Sequence, residues 1–272
     1  MWTQLTTFAI GLVSGLFSGA FGIGGGIITT PAIRLILGAP ALVAVGTPLP
    51  VILPAAITGA YGYLRRGSAD PRAGIVLGLS GALTAVLGAW LTQFAGGKVV
   101  LLATAALVLY TAVDMVLQAF APASAASVAE DPASASASES RAPEARPSTG
   151  WLVAIGAVTG LYAGFLGLGG GFILVPMLTR WMRFDIKLAI GTSLIAIAIL
   201  AVPGTITHAL LGHVDWAIAL VLMLGVVPGA WLGARISLRA ADRTIRLGFA
   251  ALLVVVGGWL AISELGLLVW LS

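Results

Sequence analysis

Cysteine is absent from this chain, which excludes disulfides, thiolate metal sites and cysteine nucleophiles. Histidine is nearly absent, with only His208 and His213, and the carboxylates are not clustered. Such a set assembles neither a metal centre nor a general acid–base pair, so no metal, no cofactor and no enzymatic activity are expected. Charge is the scarcest property. Only 9% of residues are Asp, Glu, Lys or Arg, against about 25% in a soluble domain. A chain so poor in charge cannot cover a surface facing water. Basic residues before the first apolar stretch are also missing, so no cleaved targeting segment is read at Trp2–Phe21.

Apolar sequence fills the space left by charge, at 59% of the chain. The stretches 41–64, 73–97, 151–179 and 216–234 contain no charged residue. Each approaches or exceeds the ~20 residues that cross a bilayer core as a helix. Transmembrane strands would alternate apolar and polar residues, whereas these runs are continuous and rich in Gly, Ala and Pro, as helix contacts in lipid allow. The expected class is therefore an all-α, multi-pass integral membrane protein. The net charge of +4 sits in short loops beside spans, which is a topology signal and not a nucleic-acid footprint.

An internal repeat organises the chain. Gly15-Leu16-Phe17-Ser18-Gly19-Ala20-Phe21-Gly22-Ile23-Gly24-Gly25-Gly26 returns as Gly160-Leu161-Tyr162-Ala163-Gly164-Phe165-Leu166-Gly167-Leu168-Gly169-Gly170-Gly171. The same offset pairs Pro31 with Pro176, Ala44-Val45-Gly46-Thr47 with Ala189-Ile190-Gly191-Thr192, and Asp70 with Asp215. After a small length difference, Gly88-Ala89-Trp90-Leu91 matches Gly229-Ala230-Trp231-Leu232. Two membrane repeats are read, 1–120 and 151–272, forming one transport unit. The Ala/Ser/Pro-rich stretch 121–150 between them lacks the bulk to repay ordering and is expected to be a disordered tether.

Each repeat is expected to hold a helix (5–21; 151–166), a glycine break (22–26; 167–171) and a segment too short to cross alone (27–38; 172–183). Three spans follow, 41–64, 73–95 and 99–120 in the first half, and 188–211, 216–234 and 244–262 in the second. The sequence leaves open whether the broken pair is re-entrant or fully spanning. Basic residues orient the chain. Arg65, Arg66 and Arg72, then Arg180, Arg183 and Lys187, then Arg235, Arg239 and Arg243 mark three cytoplasmic loops, and the 212–215 connection has none. These agree only if each half crosses an odd number of times. The halves are then inverted, both termini lie outside, and the tether is cytoplasmic. Arg34 and Lys98 fall outside in this scheme.

The glycine breaks carry the strongest functional signal. Irregular backbone at membrane depth persists only where protein buries it or where it lines a polar cavity. A helix starting there directs free N–H groups and its positive dipole end inward, which suits an anion. Paired broken helices are a secondary-transporter pattern. Close helix packing is the plainer explanation, but packing does not require three consecutive glycines twice in register. Gly46-Thr47-Pro48 reads as an N-cap followed by proline at the first helical position, with Gly191-Thr192-Ser193 as its partner. The candidate substrate-binding set is Gly24, Gly25, Gly26, Thr47, Pro48, Gly169, Gly170, Gly171, Thr192 and Ser193. Asp114 and His208, polar residues within spans, are candidates for proton coupling, against plainer roles as a paired carboxylate and an interfacial hydrogen-bonder. Asp70 and Asp215 read as N-caps of the helices that follow.

A duplicated Gly-x-Gly-Gly-Gly after the first helix of each half, followed by Gly-Thr-Pro/Ser-Leu, resembles the TauE/SafE family of membrane permeases. The resemblance covers the whole chain except the tether. It implies transport, often export, of a small sulfur-containing anion such as sulfite, sulfoacetate or another organosulfonate, in the prokaryotic cytoplasmic membrane. Taken with the helix breaks, it leads to a secondary transporter working by alternating access. A passive anion channel or uniporter with the same site is the alternative. Besides the substrate, the lipid bilayer is the expected partner. Oligomeric state is left open, a homo-oligomer included.

Overall fold

The computed structural model describes residues 2–95, 97–120 and 148–264, and the described residues contain helices and no strand. The first half comprises α1 (Trp2–Phe21), α2 (Gly26–Leu35), α3 (Ala41–Gly46), α4 (Pro48–Leu64), α5 (Pro71–Ala95) and α6 (Gly97–Phe120). The second comprises α7 (Thr149–Leu166), α8 (Gly171–Trp181), α9 (Ile186–Leu210), α10 (Trp216–Arg239) and α11 (Asp242–Glu264). Eight stretches are long and apolar enough to cross a membrane, with α3 and α4 counted together. The expected tether falls mostly outside the described residues, and its last two, Thr149 and Gly150, already belong to α7.

The short helices fold back on their predecessors. Thr6, Ile10 and Val13 of α1 line one groove with Ile28, Pro31 and Ile36 of α2. In the second half, Trp151 at the start of α7 lies 6.2 Å, ring to ring, from Trp181 at the end of α8. A hairpin of this kind returns the chain to the end it came from. Three long segments follow the hairpin in each half.

The long helices α4 and α9 pack against each other and run antiparallel. Thr47, at the start of α4, accepts a hydrogen bond from the Asp215 amide in the α9–α10 connection (3.0 Å). Thr192, near the start of α9, accepts one from the Asp70 amide in the α4–α5 connection (2.9 Å). Each helix thus begins where the other ends. The basic groups collect at one end of the molecule as a result. Arg65 and Arg66 line a cavity with Arg235, and Lys187 lies 3.5 Å from Asp242. His213 packs on Gly46 at the opposite end.

Two glycine seams hold the halves together. Along α1, Gly11, Gly15 and Gly19 lie against Leu222, Val226 and Ala230 of α10. Along α7, Gly156, Gly160 and Gly164 lie against Leu77, Gly81 and Ala85 of α5. Lipid is as apolar as a leucine side chain, so helices gain little by hiding apolar surface from it, and association rests on close backbone approach. A Cβ at Gly15 would lie 2.8 Å from the Val226 Cα, and one at Gly160 would lie 2.6 Å from the Gly81 Cα. Backbone cannot swing aside as a side chain can.

The caps match the sequence reading at both aspartates. Asp215 Oδ1 accepts from the amides of Ala217 (2.9 Å) and Ile218 (3.0 Å), and Asp70 Oδ1 accepts from Ala73 (3.0 Å). Gly15→Val and Gly160→Val should each destabilise the fold by about 1–3 kcal/mol, the usual cost of overpacking. Gly258→Ala, whose methyl meets open space, should stay within about 0.5 kcal/mol of the parent. Melting followed by size-exclusion chromatography in detergent checks this, and a Gly15→Val protein melting with the parent would contradict the seam.

Candidate functional site

The two glycine breaks meet in the middle of the protein. Gly22, Gly24 and Gly25 have φ of 70°, 78° and 84°, and Gly167, Gly169 and Gly170 have 68°, 75° and 75°. Side chains rarely tolerate this left-handed conformation. A Cβ at Gly26 would lie 2.7 Å from the Leu168 Cα, and one at Gly171 would lie 2.8 Å from the Ile23 Cα. The second break thus packs directly on the first. Ile52 of α4 and Ile197 of α9 flank the contact, each touching both Gly24 and Gly169. These isoleucines occupy equivalent positions in the repeat. Sequence reasoning passed over them because they are apolar, although the repeat offset pairs them as it pairs the threonines.

The breaks expose backbone polarity to the protein interior. Among the described residues, the N–H groups of Ile23 through Ile27 donate no hydrogen bond, nor do those of Leu168 through Phe172. Both runs are buried. Buried amides are nearly always paired, so two runs of five call for an acceptor from outside the chain. Ser18 Oγ and Thr159 Oγ1, beside Gly25 and Gly170 respectively, are also buried without a partner. The carbonyls of Gly22, Gly25 and Gly170, by contrast, are occupied. Gly25 O accepts from Ser14 Oγ (2.9 Å), Thr29 Oγ1 (3.1 Å) and the amides of Ile28 and Thr29. Gly22 O accepts from Ser193 Oγ (3.1 Å). The surplus is therefore of donors, the polarity that receives an anion.

All ten candidate substrate-binding residues are buried, but they do not form one cluster. Gly24, Gly25, Gly26, Gly169, Gly170 and Gly171 gather at the central contact, and Ser193 meets the first break at Gly22. Pro48, at the repeat position equivalent to Ser193, begins α4 and has no hydroxyl to offer. Thr47 and Thr192 stand apart. Each lies five residues, about 7.5 Å of helix rise, from its isoleucine, and because α4 and α9 are antiparallel they lie on opposite sides of the contact. The N-cap expectation for Thr47 needs correction. Its backbone is helical (φ −60°, ψ −33°) and its side chain caps no amide of α4, because Val43 O takes the Thr47 amide and carries the helix through. Thr192 lies well inside α9.

The two ionisable candidates are also separate. Asp114 of α6 pairs with Arg180 at the end of α8, which agrees with the paired-carboxylate reading. His208 is buried within the protein, near the end of α9. Its Nε2 lies 3.0 Å from Gly164 O, and its Nδ1 lies 3.3 Å from His213 Nδ1. One ring nitrogen of that pair must donate and the other accept. Burial pushes the His213 imidazole, in the connection after α9, below its ordinary value of 6.5. Among the described residues no group of His, Cys, Asp or Glu could hold a metal ion.

Comparisons with known proteins agree with this architecture. A family model described as sulfite exporter TauE/SafE matches residues 7–260. The probable membrane transporter protein YunE of Bacillus subtilis is 27% identical over 266 residues, covering 91% of this chain and 93% of that protein. The probable membrane transporter protein MJ0441 of Methanocaldococcus jannaschii is 24% identical and covers 91% of each chain. A probable membrane transporter protein of Xylella fastidiosa is 27% identical over 242 residues, 86% of this chain and 82% of its own. No solved structure matches the chain. With a family model matching both glycine breaks and both seams, the chain belongs to the TauE/SafE sulfite exporter family.

Proposed function

We propose that this membrane transporter exports a small sulfur-containing oxyanion, sulfite or an organosulfonate such as sulfoacetate, by alternating access between two inverted halves. The observation that carries the reading is the pair of buried, unpartnered amide runs meeting between Ile52 and Ile197. Sulfite and sulfonates are compact oxyanions, and amides with hydroxyls bind them without a full positive charge. Neutral donors hold an anion loosely enough to release it.

The arrangement of the threonines supports alternation. One hydroxyl stands on each side of the central contact, so each half contributes a station on a different face. The antiparallel run of α4 and α9 supports inversion. With the arginine-rich end in the cytoplasm of a prokaryotic cell, both termini lie outside and the 121–150 tether lies inside. An anion leaving the cell then moves down the membrane potential, which supplies about 2.3 kcal/mol per charge per 100 mV. Proton coupling, where present, is assigned to His208, since Asp114 is engaged by Arg180.

Purified protein should bind sulfite in a calorimeter, with sulfate, sulfoacetate and thiosulfate as comparators. Thr47→Val with Thr192→Val should weaken binding by about tenfold or more, the worth of a hydrogen bond to a charged group, while Thr→Ser at both positions should preserve it. Binding of none of the four anions would remove the substrate assignment. In liposomes, trans sulfite should accelerate tracer efflux, as a carrier requires and a pore does not. Ile52→Ala with Ile197→Ala should turn that counterflow into a non-saturable leak. An inward proton gradient should speed efflux in the parent and not in His208→Gln, and flux indifferent to the gradient in both would remove the coupling.

A further inference from the structure

We propose that the cavity between the ends of α4 and α10 holds the phosphate of an anionic phospholipid. This cavity, about 180 Å³, is lined by Tyr61, Arg65, Arg66, Trp231, Arg235 and Leu238 among others. None of the three arginines forms an ion pair with a described carboxylate. Two are held in place by aromatic rings one helical turn earlier. The Arg65 guanidinium carbon lies 4.6 Å from the Tyr61 ring centre, and that of Arg235 lies 3.8 Å from the Trp231 ring centre. Such stacking orders the guanidinium groups without neutralising them. A pocket with three positive charges that no described carboxylate pairs calls for an anion.

The repeat supplies an internal comparison. Arg65 and Arg66 correspond to Leu210 and Leu211, and Arg235 corresponds to Phe94. In the first half, Trp90 meets the Phe94 ring at 4.8 Å in an edge-on contact, where Trp231 meets a guanidinium. The helix frame thus tolerates apolar side chains in place of all three arginines, and the fold itself does not require them. Loop charge alone orients a membrane protein, but orientation needs neither a cavity nor a guanidinium stacked on the side of α10.

The walls of the cavity favour a lipid over a soluble anion. Below Arg65, Tyr61 and Ile57 are exposed on one stripe of α4, and below Arg235, Trp231, Val227 and Leu224 are exposed on one stripe of α10. An amphiphile could lay its phosphate on the arginines and its chains along these stripes, as anionic headgroups do in basic pockets between transmembrane helices. A free oxyanion has no use for the apolar half of the surface. The inference concerns this lateral cavity and does not depend on the transport mechanism.

Native mass spectrometry of the full chain tests it, with phosphatidylglycerol and phosphatidylcholine offered at equal mole ratio. Preferential retention of one phosphatidylglycerol is expected. Arg235→Gln, which leaves the loop charges in place, should cut the preference about fivefold, the worth of one arginine near an anionic surface. Arg65→Gln/Arg66→Gln/Arg235→Gln should abolish it. Arg239→Gln/Arg243→Gln, at the same end but outside the cavity, should leave it intact. Equal retention of both lipids by the parent would overturn the proposal, as would a preference indifferent to Arg235→Gln in a variant that melts normally. Displacement of the lipid by an equal concentration of inorganic phosphate would assign the cavity to a soluble anion and overturn it too.

Discussion

A peptide group in hydrocarbon has no water to turn to, and that constraint governs every irregular feature of this protein. Helices satisfy their own amides and carbonyls, so they can face lipid. The two breaks cannot, and the fold answers by enclosing them. Each break is packed against the other and walled by isoleucines from both halves. Some of its carbonyls find hydroxyl or amide donors within the chain, while among the described residues its N–H groups are left over. Desolvating such donors is costly unless an acceptor arrives.

Bringing the breaks together requires the halves to interlock. The first helix of each half packs on a helix of the other, α1 on α10 and α7 on α5, through glycine faces that admit backbone at close range. The long helices α4 and α9 then exchange braces at their ends, each threonine holding the amide of the opposite half's connecting loop. Hydrogen bonds of this sort are worth about 1 kcal/mol net.

Duplication built a symmetric frame, and the deviations from symmetry are informative. Ser193 braces the first break, whereas its counterpart Pro48 cannot brace the second. Arg183 adopts a left-handed φ of 54° where the repeat-equivalent Gly38 has 68°, so the second half bears backbone strain that the first avoids. The arginine-lined cavity at one end corresponds to leucine and phenylalanine at the other. The central contact, by contrast, keeps an isoleucine from each half, Ile52 and Ile197, beside the same two glycines.

Much of this was legible in the sequence because it rests on local composition. Charge-free runs of membrane length dictate helices in lipid, and one constant offset exposes the duplication. Aspartates ahead of helices announce their caps. Consecutive glycines announce a break because only glycine accepts successive left-handed turns without strain. What those features touch was decided by tertiary structure alone. Nothing in the order of residues says that Gly26 rests on Leu168, that Ile52 and Ile197 flank both breaks, or that Thr47 braces Asp215 and does not cap its own helix. Local propensity acts over a few residues, and Thr47 before Pro48 looks like a helix start on that scale. The Val43 carbonyl and the arrival of a loop from the other half make it the middle of a continuous span. The sequence determined which segments enter the membrane and where they break, since solvation and backbone sterics act residue by residue. The meeting of the breaks, and the surplus of donors it encloses, came only from contacts between residues far apart in the chain.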